Sequence, residues 1–173
     1  MSLPTIKVCV LGEAAVGKSD FLAAFAGRPT SQQSGEKTRR LRSGAQVELG
    51  TVDTPAGAQE MAIWDILCAD GGFVLETPYL AGTQGCVVVC DRTRRPTITA
   101  SRALISRLEE AFPGVACVLA MNKSDLADRA EVSAEDINDM RAQGLSVIET
   151  SSSSGDNVRR CFEELALLVT QGG

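Results

Sequence analysis

Short apolar runs alternate along the chain with segments whose apolar residues recur three and four apart. That alternation predicts strands followed by helices, and hence a mostly parallel sheet. Residues 5–11 (TIKVCVL) form an apolar run ending in glycine, as a buried parallel strand would. Residues 18–25 repeat apolar positions at helical spacing until Gly27 and Pro29 stop them. Residues 28–46 are polar and weakly patterned, a long surface loop. Strands are expected around 45–52 and 59–65, joined by Asp53-Thr54-Pro55-Ala56-Gly57. That link is turn chemistry, so the pair reads as an antiparallel hairpin.

Three more strands are expected at 85–91 (GCVVVCD), 115–121 (VACVLAM) and 145–150. A helix over 97–112 carries Ile98, Leu104, Ile105, Leu108 and Phe112 on one face and ends at Pro113-Gly114. Ser133 caps the next helix, with Glu135 and Asp136 in its first turn, and Gly144 ends it. A last helix covers 158–169. The order implies an α/β fold: a doubly wound, mostly parallel sheet with one antiparallel edge strand and helices on both faces. Such sheets bind ligands at the carboxyl ends of their strands. No repeat or linker interrupts the pattern, so residues 1–173 are read as one domain.

Composition narrows the chemistry. At 44% hydrophobic and 23% charged, the chain has the balance of a globular protein. Its longest apolar runs fall far short of the ~20 residues of a membrane span. No secretory signal pattern opens it. A net charge of −5 argues against nucleic acid as a partner, because phosphate backbones demand a basic face. Histidine is absent, which removes His-dependent triads and His-ligated metal sites. Of the six cysteines, Cys9, Cys86, Cys90 and Cys117 sit inside apolar runs, and none of the six forms a CxxC pair with another. They read as buried free thiols of a reducing compartment, and the chain as cytoplasmic.

Residues 12–19 (GEAAVGKS) match the phosphate-loop pattern GxxxxGKS/T between a predicted strand and a predicted helix. Gly12 and Gly17 let the backbone wrap an anion, so the N–H groups of Ala15, Val16 and their neighbours point inward at a helix N-terminus. Lys18 reaches the phosphates as a point charge, and Ser19 ligates Mg²⁺. The bland alternative is a chance glycine-rich turn. The strand-loop-helix setting favours the anion site, without choosing between ATP and GTP.

The base is chosen further on. Asn122-Lys123-Ser124-Asp125 follows a strand at the ligand-binding end, with Asn122 104 residues past Lys18. The Asp125 carboxylate can accept both the N1–H and the exocyclic amino group of guanine, a pairing adenine does not offer.

With these motifs the chain resembles the Ras/Rab superfamily of small GTPases, members of the P-loop NTPase fold, over nearly its whole length. Trp64-Asp65 resembles the WD of the family's WDTAGQ motif. Residues 79–85 followed by CVVVCD resemble YYRGAHG-IIVVYD, and Glu149-Thr150-Ser151-Ser152 resembles the ETSA loop. The resemblance implies GTP/GDP and Mg²⁺ as ligands. It also implies that Asn122 braces the phosphate loop, Lys123 packs along the base and the Ser152 N–H meets the guanine oxygen. The Ser151 hydroxyl would support that loop, and Asp65 would reach Mg²⁺ through a water.

Departures from the family pattern bear on activity. Aligned from Asp65 without gaps, Cys68 replaces the glycine whose N–H bonds the γ-phosphate, and Ala69 replaces the glutamine that orients the attacking water. No catalytic residue is therefore assigned, and intrinsic hydrolysis is expected to be slow or absent. A rival placement of that motif on Asp53–Gly57 has one residue too many. Thr38, 19 residues past Ser19, is the best candidate for the Mg²⁺-ligating threonine, with a solvated loop threonine as the alternative. Ala14 and Ala15 stand where members have glycine or serine, and alanine at the first is expected to crowd a hydrolytic geometry.

No cysteine follows Cys161, and Met1-Ser2 is not a myristoylation start, so no lipid anchor is evident. With the degenerate switches and Pro55 in the hairpin, this looks like the unlipidated Rab-like group that includes the intraflagellar-transport GTPases. The first expectation is a guanine-nucleotide-binding switch or binding module in intracellular or ciliary transport. It would be monomeric when free and bind a protein effector or transport-complex subunit. The alternative is a working GTPase that takes a catalytic residue from a partner in trans. A phosphate-loop fold that has lost its nucleotide is the third reading.

Overall fold

In the computed structural model, which describes residues 4–30, 44–67 and 78–172, the first apolar run becomes strand β1 (Ile6–Leu11). Helix α1 (Lys18–Phe25) starts directly after Gly17, at the boundaries the periodicity predicts. The hairpin is longer than expected. Strands β2 (Gly44–Thr54) and β3 (Gly57–Leu67) pair antiparallel from Gly44↔Leu67 to Thr54↔Gly57, so only Pro55 and Ala56 turn the chain. Gly57 adopts φ 120°, which an L side chain would resist.

Strand β4 (Gly85–Asp91) precedes α2 (Arg95–Ala111), and β5 (Ala116–Asn122) precedes α3 (Ala134–Ala142). Strand β6 (Ser146–Glu149) leads to α4 (Val158–Gln171). Helix α2 begins two residues before the expected start at residue 97, with Pro96 in its first turn, where a missing N–H costs nothing. Ser133 and Asp136 form a reciprocal capping box on α3.

The six strands make one sheet in the order β2-β3-β1-β4-β5-β6, with only the β2–β3 pair antiparallel. Alternate residues of the central strands face opposite layers. Val8, Val10, Val87, Val89, Val118 and Ala120 pack with Phe21 of α1 and with Phe162 and Leu165 of α4. Cys9, Leu11, Cys86, Val88, Cys90, Leu119 and Met121 pack with Leu104, Ile105 and Leu108 of α2 and Ile137 of α3. Burial on both faces is why these strands read as unbroken apolar runs.

Cys9, Cys86, Cys90 and Cys161 are buried free thiols as expected, while Cys117 is partly exposed. Cys68 lies outside the described residues. No helix of the described residues is long and apolar enough to cross a membrane. Val47 and Leu49 on edge strand β2 are 51% and 79% exposed.

The chain leaves β1 and β4 toward opposite sides of the sheet, so a crevice opens beyond their carboxyl ends. Asp53 pairs with Ala58 beside the hairpin turn. That turn is at the amino end of β3 and therefore at the opposite end of the sheet from the crevice, which eliminates the rival placement on Asp53–Gly57.

Candidate functional site

Between β1 and α1 the backbone turns its carbonyls outward, and each from Gly12 to Gly17 has a donor. Lys18 Nζ donates to the Gly12 and Glu13 oxygens at 2.6 and 2.9 Å. Arg94 Nη2 donates to Ala14 at 3.0 Å, Lys123 Nζ to Ala15 at 3.3 Å and Asn122 Nδ2 to Val16 at 2.9 Å. The Phe21 N–H takes Gly17 at 2.8 Å in the first turn of α1. With the carbonyls so held, none of the N–H groups of residues 13–17 donates to an acceptor among the described residues. Backbone N–H groups left without a protein acceptor at a helix N-terminus are the groups that can receive an anion.

Both motif glycines are dictated by contact. A Cβ on Gly12 would lie 2.3 Å from the Val89 oxygen of β4. One on Gly17, at φ 99°, would lie 2.6 Å from Asn122 Nδ2. Ala15 adopts φ 61° despite its side chain, a left-handed conformation costing about 1–2 kcal/mol.

Ser19 is exposed on the first turn of α1. Asp65, next in register to Val10 of β1, is 6% exposed, and its Oδ1 has no hydrogen-bond partner among the described residues. Burial raises its carboxyl above the ordinary range, with the Lys18 charge opposing. Thr38, Cys68 and Ala69 lie outside the described residues.

At the other end of the crevice, Asn122 is 1% exposed. Its Oδ1 accepts from the Ser152 N–H at 3.0 Å, the Ser152 hydroxyl at 3.0 Å and the Thr150 hydroxyl at 3.3 Å. Asn122 thus bonds both the Val16 carbonyl of the loop after β1 and residues 150 and 152. The Ser152 N–H, which the resemblance assigns to the guanine oxygen, is engaged by Asn122, so a purine oxygen would have to share it. Ser151, fully buried, donates its hydroxyl to Asp125 Oδ1 at 2.7 Å. Asp125 itself is exposed.

Lys123, at φ 65°, points its ammonium at Asp91 Oδ2, 2.7 Å away, as well as at Ala15. Asp91 and Arg94 are site residues that motif reading misses. Asp91 had a signal, an acid ending an otherwise apolar strand at the ligand-binding end. Arg94 had none.

The comparisons agree with this geometry. The family model described as Ras family matches residues 7–171. The chain belongs to the Ras family.

It is 30% identical to Ras-related protein RABA4b of Arabidopsis thaliana, over 92% of this chain and 70% of that protein. It is 28% identical to Ras-related protein Rab-18-B of Danio rerio, over 98% of this chain and 81% of that protein. Human Ras-related protein Rab-31 is 27% identical over 96% of this chain and 84% of its own length. The chain is thus a small GTPase of the Ras/Rab superfamily, a group that binds GTP/GDP and Mg²⁺ and engages effectors.

The residues present fit those ligands. Unpaired amides suit phosphate oxygens, and the orphaned buried Asp65 oxygen suits a cation or its water. No group of three His, Cys, Asp or Glu side chains among the described residues would hold a metal by itself.

Proposed function

We propose that the protein, as a single G domain over residues 1–173, binds GTP and GDP with Mg²⁺ and serves as a switch or structural binding module in intracellular transport. Its intrinsic hydrolysis is slow or absent. The observation that carries the binding reading is the pair of prepared ends of one crevice. At one end, the carbonyls of residues 12–17 are bonded while the amides of residues 13–17 meet no acceptor among the described residues. At the other, Ser151 pins one oxygen of Asp125.

In this reading Gly12, Ala15, Val16, Gly17 and Lys18 take the phosphates, with Lys18 releasing the Gly12 and Glu13 carbonyls to reach them. Ser19 and Asp65, together with Thr38, hold Mg²⁺, which when bound neutralises phosphate charge. Asn122, Lys123, Asp125, Ser151 and Ser152 form the base pocket, where Asp125 selects guanine. Slow turnover rests on Ala69 and Cys68 at the family's water-orienting and γ-phosphate-binding positions, because alanine has no group to orient a water. The likeness to the intraflagellar-transport group, and with it a ciliary location, rests on sequence alone.

Two measurements test the proposal. Heating the purified protein and chromatographing the supernatant is expected to release GDP or GTP; release of adenine nucleotide, or weak binding of added GDP, would end the binding reading. Single-turnover GTP hydrolysis with and without lysate is expected to show slow or no phosphate release. Fast release only with lysate would favour catalysis completed in trans.

A further inference from the structure

Asp91 closes β4 with 1% of its side chain exposed. Its Oδ1 accepts the Thr93 N–H and hydroxyl at 2.9 and 2.7 Å. Its Oδ2 accepts Arg94 Nε at 3.0 Å and Lys123 Nζ at 2.7 Å. Each of these cations donates again, to one of two consecutive carbonyls of the phosphate loop, Ala14 and Ala15. We propose that Arg94 is a positioning residue of the nucleotide site, fixing the phosphate loop through the Ala14 carbonyl while Asp91 fixes Arg94. The proposal rests on the guanine-nucleotide reading above and adds to it a residue that belongs to no motif.

Three features carry it. The guanidinium uses different nitrogens for its two partners, Nε for Asp91 and Nη2 for Ala14, so its planar fork sets the position of one relative to the other. A lysine would present a single ammonium in place of that fork. The anchor is also immovable, since Asp91 is buried and held by Thr93 and Lys123 as well. Finally, the held segment is strained. Ala15 keeps φ 61°, and such conformations persist only where surrounding bonds over-determine them. Lys123 supplies one such bond and Arg94 the neighbouring one.

The backbone bonds of residue 94 are separate from this role. Its N–H donates to the Asp91 carbonyl and its carbonyl accepts from Thr97. Arg94→Ala therefore keeps the start of α2.

The test uses the full chain loaded with a fluorescent GDP. It measures nucleotide release in a chase, and hydrogen exchange of the residue 13–17 amides against those of Val87, Val88 and Val89 in β4. Arg94→Ala is expected to speed release about tenfold, the scale of one lost hydrogen bond to a charged group. Exchange is expected to rise in the loop and stay unchanged in β4. Arg94→Lys is expected to behave like Arg94→Ala. Unchanged release and exchange in Arg94→Ala would overturn the proposal and leave the nucleotide reading standing. Exchange rising equally in β4 would overturn it in favour of a general structural role. Wild-type release from Arg94→Lys would overturn the two-nitrogen bridge in favour of charge alone. A wild-type chain that retains no GDP would remove the nucleotide reading itself, and this proposal with it.

Discussion

Asn122 Nδ2 donates to the Val16 carbonyl at 2.9 Å, tying the end of β5 to a loop 106 residues earlier in the chain. The same side chain accepts the Ser152 N–H, so one buried amide links the phosphate end of the crevice to the base end. Asn122→Ala would strand the Val16 carbonyl and the Ser152 N–H away from water. The expected cost is about 2–3 kcal/mol of stability, read as a lower midpoint in urea, with faster GDP release. A variant with wild-type stability and release would show that the two ends are held by something else.

Asp65 gives a test in which stability and binding move in opposite directions. Its carboxylate is buried with one oxygen unpartnered, so ionisation there carries a desolvation cost. Asp65→Asn is expected to melt no lower than wild type without Mg²⁺, and to lose the slowing of GDP release that Mg²⁺ produces. If chelating Mg²⁺ speeds release equally in variant and wild type, Asp65 takes no part in holding the cation.

Guanine selection should follow one carboxylate. Asp125→Asn keeps an oxygen for the Ser151 hydroxyl but loses the charged pairing to the base. A drop in GDP affinity of about a hundredfold or more is expected, since a site left with an unmet polar pairing discriminates strongly. Calorimetry with GDP and with xanthosine diphosphate measures it. Unchanged GDP affinity would place the base elsewhere.

Acid should weaken the fold through Asp91. Burial alone would raise its carboxyl, but the bonds from Lys123, then Thr93 and Arg94, outweigh it and bring it down to about 2. The unfolded chain titrates near the ordinary ~3.9, so the ionised carboxylate stabilises the fold by about 2 kcal/mol above that value. The contribution is lost as pH falls from about 4 to about 2. The stability difference between wild type and Asp91→Asn, followed in urea, should be constant near neutrality and shrink across that window. A pH-independent difference would mean that the charge contributes nothing.

Much of this was legible in the order of residues. Helix α1 occupies the predicted span because Gly17 and Gly27 are local punctuation, and both motif glycines are explained by atoms that touch them. The hairpin was legible in kind but not in length, since cross-strand pairing carries the ladder through Asp53 to Thr54, past where turn chemistry begins. The start of α2 was read two residues late because its apolar face begins only at Ile98, beyond the Arg95-Pro96 that open its first turn. The clamp on the loop was not legible at all. Arg94 meets Ala14 across 80 residues through one bond, and no spacing rule encodes a side chain reaching a carbonyl. The engagement of the Ser152 N–H was hidden for the same reason.

The sulfur-bearing face of the sheet makes the molecule its own clock for global opening. Cys86 and Cys90 have no exposed surface. Burial, with the Asp91 charge adding to it, pushes the Cys90 thiol up to about 12. Because it is the thiolate that attacks an alkylating reagent, capping at these two positions waits for the strands to separate. Cys117, partly exposed on β5, is within a reagent's reach without that event. Mass spectrometry of the intact chain after timed exposure to an alkylator would then resolve surface labelling from rare unfolding, with no introduced probe.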